Sequence, residues 1–360
     1  MIFNFTKRMI APTGGTRVFI ELMNGLARRG HKVTLTTHVP PPFPFELSSE
    51  VNINLVKDFR IITLMAKVQV ALDRYMKIPI RNMHIWDTAY TESMPECDVN
   101  IGHSGFDSFP IYRSRRGIPV HYMLHDEALI HTCMPDKAIV EESYCLPIRR
   151  FVNSIWLRKR MEKKIGRKLP IVNPGVNLDV FRPFDIAVNK SKPRIVCYGS
   201  PIKWKGFGDF LKAAAIIKKK VEAEIVVFGS RRLQRYESQI AFKFVHNLSD
   251  TELASLYSSA NVVVCPSWYE SFPLPPLEAM ACGTPVVTTR YGTEDYAIDG
   301  KNSLIVQPNN PEQIAEAVMR ILSDKSLSEN LRKEGLNTAR RFTLESFLDR
   351  FEAIIEGMVK

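Results

Sequence analysis

The sequence predicts two α/β domains in tandem. Its 360 residues exceed what one ordinary core takes in and suit two domains of about 150–200 residues each. In both halves short apolar runs alternate with stretches of helical periodicity, the pattern of βαβ units. Several runs, Val262–Cys265 above all, are apolar throughout, as strands of a parallel sheet covered on both faces are. An apolar share of 45% with 24% charged residues is that of a globular enzyme and excludes a disordered chain.

In the first half a short strand ends near Phe5. Along Arg17–Arg29, Val18, Phe19, Leu22, Met23, Leu26 and Ala27 form one helical stripe. Thr16 is placed to cap its start and Gly30 to end it in a left-handed turn. Val33–Thr37 reads as the second strand. Four prolines within Pro40–Pro44 deny that stretch helix and interior strand. Strands are expected at Val99–Ile101 and Val120–Leu124, and a basic helix at Ser154–Gly166.

The turn-rich Phe181–Lys192 reads as the linker. Beyond it strands are predicted at Ile195–Tyr198, Glu224–Phe228, Phe242–Val245, Val262–Cys265 and Val286–Thr289. Helices are predicted at Phe207–Lys219, Asp250–Ser258, Pro276–Cys282, Pro311–Leu322 and Ser326–Arg341. The last segment carries Leu344, Phe347, Leu348, Phe351, Ile354, Ile355 and Met358 on one face, an amphipathic terminal helix. The domains expected are therefore 1–180 and 181–342, with helix 343–360 packing back toward the first. In open α/β sheets ligands bind outside the carboxyl ends of the strands, which places the site there in each domain.

Charge separates the halves. Residues 1–170 hold 25 Lys and Arg against 16 Asp and Glu, a balance of +9, while 171–360 hold 24 against 22, or +2. A basic first domain suggests an anionic contact. No nucleic-acid motif is present, so an anionic membrane surface, or a phosphate-bearing lipid or glycan, is the expectation. Around Arg149–Lys168, Ile155, Trp156, Leu157 and Met161 lie among the bases, a pattern that suits an interfacial helix. No apolar run reaches the ~18 residues of a membrane span, and Met1–Phe5 lacks a signal-peptide layout. Six scattered cysteines without a Cys-x-x-Cys pair argue against zinc and a disulfide framework. The expectation is a cytoplasmic protein with peripheral attachment to the inner face of the membrane.

The most informative stretch runs from Trp268 to Val287. A buried strand ends at Cys265, a loop carries Glu270, and a helix starts near Pro275-Pro276, where a missing N–H costs nothing. Glu278 falls in or next to the first turn. Two carboxylates thus flank a positive helix end whose amides suit a diphosphate, with a neighbouring carboxylate suited to ribose or sugar hydroxyls. As a pair alone, the two could equally be a dipole-complementing glutamate and a solvated loop residue.

The full run resembles the family-4 retaining glycosyltransferases, whose mark is Glu-x7-Glu followed by Ala-Met-Ala-x-Gly-x-Pro-Val-Val. Glu270 and Glu278 have that spacing, and Ala279–Val287 matches the tail. Gly14-Gly15, Arg28–Val33, Asn173–Asn177, Phe181-Arg182-Pro183 and Asp299–Val306 are similar to other family segments in the same order. The resemblance implies the GT-B fold, two Rossmann-like domains facing a central cleft, with the donor in the second domain and the acceptor in the first. It implies a hexose-type sugar moved from a UDP-, GDP- or dTDP-sugar to a hydroxyl of a glycan or lipid-linked acceptor, with retention, no metal and no cofactor beyond the donor substrate. The partners implied are that donor and acceptor, with no nucleic acid.

Carried over residue by residue, the resemblance makes Glu270, His125 and Lys205 the catalytic set. Glu270 would contact the donor sugar, Lys205 the donor phosphates, and Glu278 the ribose. Lys203, Ser271, Phe272, Leu274 and Gly199 complete the donor site, and Gly14, Gly15 and His103 an acceptor or phosphate loop. The leaving nucleoside diphosphate gains charge as the glycosidic bond breaks, so a lysine aimed at it lowers the barrier. Two departures stand out. The family has Gly-Arg where this chain has Gly199-Ser200, leaving Lys203 as the substitute without a bidentate fork. Ser271-Phe272-Pro273 replaces the common Gly-Phe-Gly and loses one amide. Gly14-Gly15 can also be read as a tight turn, His103 as a structural histidine, and Glu294-Asp295 as sugar-selecting or helix-capping. Lys218-Lys219-Lys220 reads as a solvated face. The rival functions are a nucleotide-sugar epimerase of the same fold and a non-catalytic sugar-nucleotide-binding protein.

Overall fold

The computed structural model describes residues 1–56, 64, 83–130, 136–186, 192–229, 233 and 240–359. The chain divides into two compact units. One holds Met1–Asn153, Arg158–Val172 and Leu348–Lys360; the other holds Ser154–Leu157 and Asn173–Phe347. Each is built on a six-stranded parallel sheet, and the two sheets share one topology.

In the first unit β1 (Ile2–Thr6), β2 (Lys32–Thr37), β3 (Asn52–Leu55), β4 (Val99–Gly102), β5 (Ile118–Met123) and β6 (Arg149–Val152) lie in the order β3-β2-β1-β4-β5-β6. In the second, β7 (Arg194–Tyr198), β8 (Glu224–Phe228), β9 (Lys243–Val245), β10 (Val262–Cys265), β11 (Val286–Thr289) and β12 (Leu304–Val306) lie as β12-β11-β10-β7-β8-β9. Every neighbouring pair is parallel. The strand order turns back between β1 and β4 in one sheet and between β7 and β10 in the other. At such a switch point the loops on either side splay apart and leave a crevice.

The helix after β1 runs Gly14–Arg28 and buries Val18, Phe19, Leu22, Met23 and Leu26 on the sheet. Its cap is Thr13, whose Oγ1 accepts from Thr16 N at 3.3 Å; the expected cap at Thr16 is therefore corrected. Gly14 and Gly15 open the helix, as the resemblance implied. Gly30 does take a left-handed φ of +82°. The second unit is cored by Ile195, Phe207, Phe210, Val227, Val264 and Val318, all at most 1% exposed.

One boundary and the expected exposure of one helix differ from the sequence reading. After a brief excursion at Ser154–Leu157, the chain passes into the second unit at Asn173, ahead of the expected linker Phe181–Lys192. Phe181 is fully buried, its ring centroid 6.4 Å from that of Tyr257, so the segment is part of that unit; residues 187–191 lie outside the described set. The second correction concerns the Ile155–Ile165 helix. Leu157 and Met161 are fully buried and Trp156 is 7% exposed, so these residues are not available for insertion into a membrane. Arg160 and Lys164 pair with buried Asp126 at 2.9 and 2.7 Å.

The terminal helix spans Leu344–Val359 and belongs to the first unit from Leu348 on. The Phe351 ring lies 6.0 Å from Phe3 and 5.7 Å from Phe151. Glu352 pairs with Arg29 and with His31, the latter at 2.7 Å. Leu348 fills the space a side chain at Gly25 would need, its methyls 2.6 Å from a Cβ placed there.

Candidate active site

The second unit gathers its predicted residues at its own switch point. Beyond β7, Gly199 and Ser200 lead into a short 3-10 turn, Lys203–Lys205. Gly199 has no room for a side chain: a Cβ would come within 2.4 Å of Val227. Beyond β10, a loop carries Ser267 and Glu270. Lys205 Nζ and Glu270 Oε1 meet at 2.6 Å, and Ser267 Oγ donates to the same oxygen at 2.8 Å. Burial works to lower the Lys205 ammonium, but the Glu270 carboxylate beside it prevails and raises it. The lysine thus stays charged. Gly206, at φ +70°, lets the turn close against β10, since a Cβ there would lie 2.1 Å from the Pro266 oxygen.

Glu278 stands on the helix Leu274–Ala281, as its fifth residue and 3% exposed. Tyr257 donates to it at 3.2 Å. Burial, then the Glu278 carboxylate, pushes the Tyr257 phenol well up, so it remains a donor. The helix begins earlier than expected, at Leu274, and its cap is Pro273. Pro273, Pro275 and Pro276 carry no N–H, so Leu274 supplies the sole free amide of this first turn. The several helix amides expected for the diphosphate are thereby corrected to one. Ser271 is buried, and the Phe272 ring packs on Tyr296 at 5.3 Å and Phe342 at 5.9 Å. Phe272 and Leu274, 8% and 7% exposed, turn their side chains into the core. Lys203 is solvent-exposed, its Nζ 5.5 Å from the centre of the Trp268 ring.

Asp295 accepts from Ile155 N at 3.0 and 3.3 Å and from Asn173 Nδ2 at 2.8 Å. It therefore ties down the start of the Ile155–Ile165 helix. Of the two readings of this residue, capping is the one realised. Glu294 accepts from Gly292 N at 3.2 Å.

The first unit repeats the plan with different chemistry. Lys7 follows β1 and His103 follows β4; Nζ and Nε2 are 2.7 Å apart. With the lysine donating to Nε2, the ring proton lies on Nδ1, 3.5 Å from Asp107. Burial, then Lys7, lowers the imidazole, which stays neutral. Burial likewise brings Lys7 down to about 8. A Cβ on Gly15 would sit 3.7 Å from His103 Nε2, whereas Gly14 has open space around it. Glu127 accepts from Gly105 N at 3.0 Å and Ser104 Oγ at 3.3 Å, and burial raises it to about 8. His125 is partly buried beside fully buried Asp126, at the end of β5. Lys7, Asp107 and Glu127 were not singled out from the sequence, where each is one charged residue next to an apolar run. Tyr257 and Ser267 were equally silent. Among the described residues no group of three His, Cys, Asp or Glu is arranged to hold a metal ion, and no helix is long and apolar enough to cross a membrane.

Residues 181–338 match the family model for group 1 glycosyl transferases. The match covers most of the second unit. The chain is 32% identical over 217 residues to a D-inositol 3-phosphate glycosyltransferase of Paenarthrobacter aurescens, a match covering 52% of this chain and 53% of that protein. It thus spans about half the length of the curated relatives it matches. Over its whole length the fold is similar to that of a sucrose-phosphate synthase from Thermosynechococcus elongatus, with a TM-score of 0.79, 17% identity, and 99% and 98% of the two chains covered. Anabaena HepE in complex with UDP-glucose superposes with a TM-score of 0.78 at 14% identity, covering 99% of this chain and 100% of that one. The chain has their GT-B fold.

Proposed function

We propose that this chain is a group 1 glycosyl transferase that moves a hexose-type sugar from a nucleoside-diphosphate sugar to a hydroxyl of a glycan or lipid-linked acceptor, with retention of configuration. The observation that carries the reading is the Lys205–Glu270 pair at the β7/β10 switch point, with buried Glu278 on the helix that follows. Lys205 is charged and stands at the switch point, where a diphosphate would lie, so it would offset the charge that the leaving group gains. Glu270 is an acceptor held in place by two donors and suits the hydroxyls of the donor sugar. Glu278, kept in position by Tyr257, suits the ribose. In the retaining mechanism of this family the acceptor attacks from the leaving-group side, and no protein nucleophile is needed. The acceptor itself would be held by the first unit, near Gly15, His103 and His125. That curated relatives are named glycosyltransferases and that HepE was solved with UDP-glucose support the donor class.

The test is proton NMR of the product formed from each of a panel of UDP-, GDP- and dTDP-sugars. An anomeric signal of the donor's own configuration supports the reading. Inverted product refutes retention; a free, epimerised sugar nucleotide formed without acceptor would make the protein an epimerase. The reading includes attachment to an anionic membrane by charge alone, through exposed Lys159, Lys163, Arg167 and Lys168. Sedimentation with anionic but not neutral vesicles, lost at high salt, is the expected result; no sedimentation at low salt removes it.

A further inference from the structure

Three aromatic rings run side by side next to the Lys205–Glu270 pair. Tyr269 lies between Trp204, at 5.9 Å, and Trp156, at 6.1 Å, and each pair is within 10° of parallel. These are offset-stacked separations, the favourable arrangement for rings with negative faces. Trp204 directly precedes Lys205 in the chain, and Tyr269 directly precedes Glu270. The stack and the ion pair are therefore adjacent rungs between the same two loops. A third rung is the backbone bond from Trp268 N to Trp204 O at 2.6 Å. Trp268 Nε1 also donates to Asp209 at 2.6 Å. The far end of the stack is anchored, because Trp156 is 7% exposed and its neighbour Ile155 is tied to Asp295.

We propose that Tyr269, clasped by Trp204 and Trp156, is the positioning residue that keeps Lys205 and Glu270 in register when the donor arrives. The inference rests on the transferase reading above. A diphosphate competes with Glu270 for Lys205, so the ion pair that joins the loops in the free protein weakens when the donor binds. Ring stacking does not depend on that charge and keeps the loops joined through the change. Lys205 can then turn to phosphate, and Glu270 to the sugar, without either loop moving.

The experiment compares Tyr269→Leu, Tyr269→Phe and Trp156→Leu with the wild type. Nucleoside-diphosphate release is followed with the best donor of the UDP-, GDP- and dTDP-sugar panel, alongside acrylamide quenching of tryptophan fluorescence in the unliganded proteins. Tyr269→Leu should lower kcat about tenfold, the loss of two stacked contacts, with a smaller change in donor KM. Tyr269→Phe keeps the ring and should stay within about twofold. Trp156→Leu, which leaves Tyr269 in place, should fall between them. Quenching should rise in Tyr269→Leu, which uncovers Trp156, and not in Tyr269→Phe. Unchanged kcat in a folded Tyr269→Leu, or an equal loss in Tyr269→Phe, overturns the proposal; if Tyr269→Leu does not fold, unchanged kcat in Trp156→Leu overturns it. A wild type that releases nothing from any donor overturns the transferase reading instead, and quenching that is equal in all variants overturns the stack.

Discussion

Two lysines follow β7, and their surroundings assign them different work. Lys205 is bound to Glu270 at 2.6 Å, whereas Lys203 is exposed and rests over Trp268. Removing a donor aimed at developing charge costs roughly a hundredfold in kcat, so Lys205→Ala should lose about that much and Lys203→Ala less than about tenfold. Equal losses in steady-state turnover would mean that Lys203 replaces the family arginine absent at Ser200. A second residue gives the protein a pH signature. Glu127 is raised from 4.5 to about 8, by burial first, against its bond from Gly105 N, and with Asp107 adding to the rise. The fold favours its protonated form. Its contribution to stability is complete below about pH 4.5 and is lost as pH rises through about 8. Glu127→Gln should therefore flatten the fall in melting temperature between about pH 5 and 8. A parallel curve for the variant would show that Glu127 does not titrate there.

At the scale of elements, what the sequence revealed follows from how each element buries itself. Glu224–Phe228, Asp250–Ser258, Val262–Cys265 and Val286–Thr289 form as read, because their apolar patterns are unbroken and their ends marked. The Arg149–Val152 strand was not visible, since it opens with two arginines. Arg150 is nevertheless buried, its guanidinium donating to the carbonyls of Ser143, Leu146 and Ile148 at 2.7, 3.0 and 3.2 Å. Asn52–Leu55 is an edge strand with Ile53 and Leu55 exposed, so it carries no inward–outward signal. The Gly105–Ser114 helix contains Pro110, which argues against a helix locally. Glu270 and Glu278 were singled out by the resemblance of the whole Trp268–Val287 run, since their spacing alone left two readings open. Of the residues that bond them, Ser267 is a near neighbour of Glu270, whereas Lys205 and Tyr257 come from other stretches of chain and meet them only on folding. One local device can be checked by itself. At Ser249 the capping box is complete, with Ser249 N donating to Glu252 at 2.8 Å and Glu252 N to Ser249 Oγ at 3.3 Å. Ser249→Ala should cost about 1 kcal/mol in urea unfolding; no change would mean the cap is replaced by water.

At the scale of the molecule, two sheets of one topology present two switch points, and in each a lysine after the first strand meets a partner after the fourth. Lys7 meets neutral His103 and is itself brought down to about 8, while Lys205 meets carboxylate Glu270 and stays charged. The same scaffold thus pairs a lysine with a neutral imidazole in one unit and with a carboxylate in the other. The proposal places the donor in the second unit, beside Lys205, Glu270 and Glu278. The measurement that tests this most directly is a thermal-shift titration with UDP-, GDP- and dTDP-sugars, run on the wild type and on Glu278→Gln. A ligand that binds only the folded state adds RT ln(1 + [L]/Kd), about 2.7 kcal/mol at a hundredfold excess. The account predicts that one donor class raises the wild-type melting temperature by several degrees and that Glu278→Gln loses most of the shift, by roughly 1.5–3 kcal/mol of affinity. An equal shift in both proteins, or none in the wild type with any donor, would contradict it.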